Sequence, residues 1–289
     1  MSNKLPCWFR QEIPDEATLA TLHLISEFNV HTVCQEAQCP NLSFCFKKRK
    51  ITFMILGDSC SRNCRFCAVK KSENKKDLNL DLDEPFRIAK ITELLGLNYA
   101  VITSVTRDDL EDGGATIFAK TIELIRNIKR DIKVEVLIPD FSGNIASLTT
   151  VIDAGPCVVG HNIETVQRLY KELKPKSNYQ LSLNILSMIK RISPSLTTKS
   201  SLILGLGETE GEVVQTMEDL RNTNCDILTL GQYLAPSTQH YPIKEFISIE
   251  KFQRYQAIAT ALGFETVLSG PRVRSSYKAE EVYQGVVHV

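Results

Sequence analysis

The chain has 289 residues, 43% of them hydrophobic, and its lysines plus arginines equal its aspartates plus glutamates at 34 each. That length and composition suit one large α/β domain with a substantial core, and the neutral balance supplies no global field to gather nucleic acid or an anionic membrane. No apolar run nears the ~20 residues of a bilayer span, and the opening Met-Ser-Asn-Lys-Leu-Pro-Cys-Trp is not an apolar signal segment, so a reduced, cytoplasmic setting is expected.

Six of the nine cysteines fall into two groups, Cys34, Cys39 and Cys45, then Cys60, Cys64 and Cys67. Three thiolates closely spaced on a loop can converge on one iron–sulfur cluster and leave one iron open to a substrate or cofactor. Structural zinc more often takes matched C-x-x-C pairs completing four local ligands, which neither group supplies, although His31 near the first group offers a nitrogen. Cys7, Cys157 and Cys225 lack metal spacing and read as buried or incidental thiols. The first group lies in an N-terminal extension, residues 1–50, expected to form a layer separate from the main domain.

From residue 51 onward, apolar runs of strand length alternate with longer amphipathic segments. Strands are expected at Ile51–Leu56, Tyr99–Val105, Lys133–Ile138, Cys157–Val159, Ser201–Leu204 and Asp226–Leu230. Helices fit between them at Phe86–Leu95, Ala115–Lys129, Ile145–Ile152, Glu164–Leu173 with Tyr179–Ile189, Glu210–Asn222 and Ile249–Leu262. Six successive βα units over residues 51–264 point to an α/β fold, a partial (β/α)6 barrel of the triosephosphate-isomerase type, with an open doubly wound sheet as the other arrangement. Chemistry then collects beyond the carboxyl ends of the strands. Each strand is indeed followed by a polar or glycine-bearing string, among them Gly57-Asp58-Ser59 leading into the second cysteine group, Thr106-Arg107-Asp108-Asp109, Gly160-His161-Asn162 and Gly205-Leu206-Gly207-Glu208. Residues 265–289 form a C-terminal extension.

The second group, Cys60-Ser-Arg-Asn-Cys64-Arg-Phe-Cys67, resembles the cluster motif of radical S-adenosylmethionine (SAM) enzymes. The first, Cys34-Gln-Glu-Ala-Gln-Cys39-Pro-Asn-Leu-Ser-Phe-Cys45, resembles the C-x4-C-x5-C auxiliary-cluster motif of the lipoyl synthase family. The strings Thr103 to Ala115, Val136 to Asp140, His161 to Thr165, Gly205 to Glu208, Gly231 to Leu234 and the closing Arg274-Ser-Ser-Tyr277 extend that resemblance from Trp8 to about Lys278.

The resemblance implies two [4Fe-4S] clusters. One, on Cys60, Cys64 and Cys67, binds SAM and reduces it to a deoxyadenosyl radical. The other, on Cys34, Cys39, Cys45 and a serine of the closing motif, is the sulfur source; by position Ser276 is favoured over Ser275. A serine oxygen is harder than a thiolate, so it suits a cluster that must be dismantled. Two sulfurs enter at C6 and C8 of an octanoyl-lysine on a lipoyl carrier domain, of a 2-oxoacid dehydrogenase E2 or glycine cleavage H protein, with electrons from a ferredoxin or flavodoxin.

Candidate SAM contacts are Phe66, Thr103, Asp112, Gly113, Asn162, Glu164 and Glu208. Arg107, Asp108, Asp109 and Gly114 belong to the same string as Asp112, whose other reading is a helix N-terminus with acidic residues complementing the dipole. His161 reads equally as a core histidine. Ser201, Cys157, Gly160, Lys174 and Leu181 depart from the family's usual residues, and none of them is an expected cluster ligand. The basic clusters Phe46 to Lys50 and Lys70 to Lys76 are solvated faces or a dock for an acidic carrier. A biotin-synthase-like sulfur inserter would not be expected to combine the first triad with the terminal serine motif, and a metal-binding redox sensor would not need so many polar strand ends.

Overall fold

The computed structural model describes Pro6, Phe9, residues 12–72 and residues 78–286. In chain order the strands are β1 (His31–Thr32), β2 (Thr52–Ile55), β3 (Ser59–Cys60), β4 (Lys70–Lys71), β5 (Tyr99–Ser104), β6 (Lys133–Leu137), β7 (Val158–Gly160), β8 (Thr197–Leu204), β9 (Ile227–Gln232) and β10 (Thr266–Gly270). The helices are α1 (Glu16–Glu27), α2 (Val33–Glu36), α3 (Leu42–Lys47), α4 (Glu84–Leu94), α5 (Ala115–Ile128), α6 (Ile145–Asp153), α7 (Tyr170–Leu173), α8 (Tyr179–Ile192), α9 (Glu210–Asn222), α10 (Ile249–Ala261) and α11 (Ala279–Tyr283).

The principal sheet runs β1-β2-β5-β6-β7-β8-β9-β10, with β3 and β4 paired apart. From β2 to β10 every pairing is parallel and sequential, as right-handed βαβ crossovers require, and the sheet is a partial barrel. All four residues of β2 and all six of β9 are buried, which explains why they read as mainly apolar segments rather than polar–apolar alternations. Helix starts follow local chemistry: Thr209 and Glu212 form a capping box at α9, and the Asn178 side chain caps α8.

Two differences from the sequence reading concern the extensions. The N-terminal segment is not a wholly separate layer, because β1 joins the sheet antiparallel to β2, pairing His31 with Met54 and Thr32 with Phe53. Beyond the six expected strands, β10 adds a seventh parallel one beside β9. Its Thr-Val-Leu-Ser-Gly string is short and mixed, so it carried little strand signal. Between β7 and α8 the expected helix from Glu164 reduces to a 3₁₀ turn at Gln167–Leu169 and the single turn α7.

Candidate functional site

Chain reversal between β2 and the second cysteine group is tight. Leu56 and Gly57 both adopt positive φ, 71° and 86°, and for a leucine that costs on the order of 1–3 kcal/mol. The buried Glu84 carboxylate at the start of α4 holds the turn, accepting from the Leu56 N–H at 2.6 Å and the Gly57 N–H at 3.3 Å. Burial nevertheless pushes the Glu84 carboxyl above its ordinary range.

The loop so released crosses the carboxyl ends of the strands and is tied to several of them. Ser61 N–H donates to Thr106 O, Arg65 N–H to Leu173 O, and Tyr241 N–H to Arg65 O. Inside the loop, the Arg62 side chain is a staple to three residues. Its guanidinium donates to Asp140 at 2.6 and 2.7 Å, to Asp108 at 2.8 and 3.0 Å and to Ser177 Oγ at 3.2 Å. Burial works against both partners, but the mutual pairing wins: Asp140 is held below the usual carboxylate range and Arg62 is raised.

Cys60 Sγ accepts from the backbone N–H groups of Arg62 at 3.4 Å and Thr106 at 3.3 Å. Such N–H···S bonds stabilise a thiolate and are a means of tuning a bound cluster. Burial, then neighbouring thiols, pushes Cys67 up to about 12, and burial likewise raises Cys64. Beside Cys64 lies the buried Lys174. Burial alone would lower its ammonium, but Tyr170, Glu164 and Cys64 together outweigh that and raise it. A retained positive charge therefore sits against the loop, which suits an anionic iron–sulfur cluster.

Glu164 itself adopts a left-handed φ of 68°, pinned by Glu164 N–H to Ser201 O and Ile203 N–H to Glu164 O. It accepts from Asn162 Nδ2 at 2.9 Å, and Asn162 Oδ1 accepts from Ser275 Oγ at 2.9 Å. His161 Nδ1 lies 3.0 Å from Ile138 O while its buried Nε2 has no partner among the described residues; burial lowers it to about 4, so the ring is neutral.

The remaining candidate SAM contacts are variously engaged. Both Asp112 oxygens accept N–H groups at the start of α5, from Gly114 and Thr116, each at 2.8 Å. Glu208 accepts from Gly205 and Leu206 N–H, and Thr103 Oγ1 donates to Leu137 O. Phe66 is partly buried against the apolar cluster around Leu204 and Leu206. Gly113 backs onto the Phe141 ring, so closely that a Cβ would meet it at 2.8 Å. Together with Thr106, Asp108 and Pro139, Gly113 and Phe141 line a cavity at the ends of β5 and β6. Arg107 is buried, paired with Asp109 and donating to the carbonyls of Leu56, Leu78 and Asn79, which holds residues 78–79 against the turn.

At the opposite end of β2 a second cavity is lined by Cys34, Cys39, Cys45, Thr52, Tyr99, Arg274 and Ser276. Burial pushes both Cys34 and Cys45 up to about 12, so bare thiolates are disfavoured there without a compensating cation. The extensions clasp each other around this cavity through Asn41 Nδ2 to Arg272 O at 2.6 Å, Lys50 to Glu280 at 2.5 Å, and the rings of Phe44 and Tyr277. Gly231 lets the tail cross β9, since a Cβ there would stand 2.0 Å from Val273 O. The two serines diverge: Ser276 faces the cysteines, whereas Ser275 is bonded to Asn162.

Among the described residues no three His, Cys, Asp or Glu side chains converge on a single metal ion. His31 is turned to Glu36 at 3.3 Å. Three thiols and one hydroxyl around one cavity form instead a donor set suited to a cluster.

A family model described as the Radical SAM superfamily matches residues 54–220. A curated lipoyl synthase of Caldicellulosiruptor bescii is 49% identical over 278 residues, covering 96% of this chain and 94% of that protein. The chain belongs to the lipoyl synthase family. A lipoyl synthase of Aquifex aeolicus is 50% identical over 258 residues, 89% of this chain and 92% of that one. Among solved structures, the FeFe-hydrogenase maturase HydG from Carboxydothermus hydrogenoformans has a TM-score of 0.61 at 16% identity, covering 96% of this chain and 67% of that one. Methylornithine synthase PylB has a TM-score of 0.56 at 14% identity over 75% of this chain and 63% of that one. Those two likenesses concern the fold.

Sequence reasoning missed Arg62, Glu84 and Thr52. An arginine inside the C-x-x-x-C loop, between residues that would bind an anionic group, was the one available signal; Glu84 and Thr52 had none.

Proposed function

We propose that this member of the family is a radical SAM sulfurtransferase that inserts two sulfur atoms, at C6 and C8, into an octanoyl chain borne on a lysine of a lipoyl carrier domain. Cys60, Cys64 and Cys67 hold one [4Fe-4S] cluster; Cys34, Cys39, Cys45 and Ser276 hold the other. When bound, the first supplies the electron that cleaves SAM and the second supplies sulfur. The reading is supported above all by the two triads lying at opposite ends of β2, whose four residues span about 10 Å at 3.3 Å each. An acyl chain threaded along the barrel would then have the radical source at one end and the sulfur source at the other.

The protein's own contribution is position and dryness. Arg62 and Glu84 hold the first loop over the strand ends, Lys174 keeps a positive charge against Cys64, and Asn162 with Glu164 offers polar groups to the methionine or ribose part of SAM. β2 and β9 are fully buried, and the charged pair buried in the sheet, Lys199 with Glu135, is closed at 2.7 Å. The basic segments are a weaker case for carrier docking: Lys47 pairs with Asp15, Lys50 with Glu280, and Lys70 with Asp58, while residues 73–77 lie outside those described. No helix among the described residues is long and apolar enough to cross a membrane. A small redox protein of the ferredoxin or flavodoxin class is the proposed electron donor, in a cytoplasmic setting.

The test is anaerobic reconstitution with iron and sulfide, followed by SAM, reductant and an octanoyl-lysyl peptide, reading deoxyadenosine and peptide mass. Deoxyadenosine with a peptide gaining two sulfurs supports the reading. SAM cleavage without sulfur gain refutes the substrate, and a chain that binds no iron refutes the chemistry.

A further inference from the structure

We propose that Thr52 is a positioning residue for Ser276, its hydroxyl holding the serine oxygen where it completes the ligand set of Cys34, Cys39 and Cys45. The inference rests on the assignment of Ser276 as a cluster ligand made above. Thr52 lines the same cavity, is 4% exposed, and donates through Oγ1 to Ser276 Oγ at 2.7 Å across 224 residues of sequence. That bond ties a barrel strand directly to the C-terminal extension.

The backbone of Thr52 is held by the sheet, in register with Val101 of β5. As a β-branched strand residue it has few χ1 choices, so its hydroxyl direction is set by the sheet. Ser276 has no such support: it lies in turns between β10 and α11, and an unbranched serine has three staggered rotamers open to it. On either side the chain is pulled elsewhere, Ser275 to Asn162 and Tyr277 to Phe44. The Thr52 hydrogen bond selects one Ser276 rotamer; it occupies one lone pair of the serine oxygen and would leave the remaining electron density free for a metal. If Ser276 held iron, the same bond would share the negative charge of its oxygen, which a valine of the same shape could not do.

The experiment compares the reconstituted wild-type protein with Thr52→Val, Thr52→Ser and Ser276→Ala. Iron release to a chelator is followed, with Mössbauer spectra of the reconstituted clusters. Ser276→Ala identifies the release phase that belongs to the auxiliary cluster. Thr52→Val is expected to accelerate that phase roughly 10- to 100-fold, the usual effect of removing an outer-shell partner, with the signal of the oxygen-ligated iron altered. Thr52→Ser, which keeps the hydroxyl, is expected to remain within a few-fold of wild type. If Thr52→Val releases iron at the wild-type rate while Ser276→Ala is fast, or if serine at position 52 fails to rescue, the proposal is overturned and the Ser276 reading stands. If Ser276→Ala itself leaves release and spectra unchanged, both are overturned.

Discussion

Replacing Arg62 by methionine keeps an unbranched stem and removes the guanidinium that joins the first cysteine loop to the ends of β5 and β6. Its two ion pairs are unequal. The Asp140 side chain is 2% exposed and that of Arg62 10%, so the methionine strands a buried carboxylate, and breaking such a pair costs about 3–5 kcal/mol. The Asp108 side chain is 35% exposed, and its pair adds less than about 1 kcal/mol after screening. A loss of about 4 kcal/mol is therefore expected, and with a urea slope of about 3 kcal/mol per molar the midpoint falls by roughly 1.3 M. Unfolding of the metal-free chain is the assay, since cluster loss makes the loaded protein irreversible. The double variant Arg62→Met/Asp140→Asn removes the stranded charge and is expected to recover about 2 kcal/mol. A single variant within 1 kcal/mol of wild type, or a double variant no better than the single, would refute the assignment of Arg62–Asp140 as the principal tie.

Three other outcomes follow from the geometry. His161 is depressed in the fold from its ordinary 6.5 to about 4, so the unfolded chain takes up its proton first; its contribution is complete above pH 6.5 and about 3 kcal/mol is lost as pH falls to 4. The difference in stability between wild type and His161→Asn should shrink over that window, and a constant difference from pH 7 to 4 counts against a buried neutral imidazole. Glu84→Ala removes the acceptor of the Leu56 and Gly57 N–H groups; a loss of about 2–4 kcal/mol is expected, with faster hydrogen exchange at those two amides, and unchanged exchange there would rule the clamp out. Gly231→Ala pushes a methyl against Val273 O; the tail carrying Ser276 is expected to shift, with the auxiliary cluster lost before the other. Retention of both clusters at wild-type iron content would disprove that role for the crossing.

The grouping of the cysteines was legible in sequence because spacing is local, and Cys34, Cys39 and Cys45 do line one cavity. The βα alternation was legible for the same reason, since fully buried parallel strands are mainly apolar, as Phe53, Met54 and Ile55 in β2 and Ile227, Leu228 and Leu230 in β9 are. Short or mixed segments escaped. The strand β10 has only two apolar side chains, and β1 is two residues long, stabilised by its neighbour rather than by its own composition.

Neighbouring Ser275 and Ser276 are chemically identical, and only the path of the tail over Gly231 turns one towards Asn162 and the other towards Cys34, Cys39 and Cys45. The same holds for Thr52, an ordinary strand residue until folding brings it to a serine 224 positions away, and for Arg62, whose partners Asp108 and Asp140 stand on separate strand ends. Composition and spacing determine which donors exist and how they group along the chain. Which of them share a cavity, and which carboxylates and hydroxyls hold them there, depends on contacts that exist only after the sheet has closed distances that sequence leaves open.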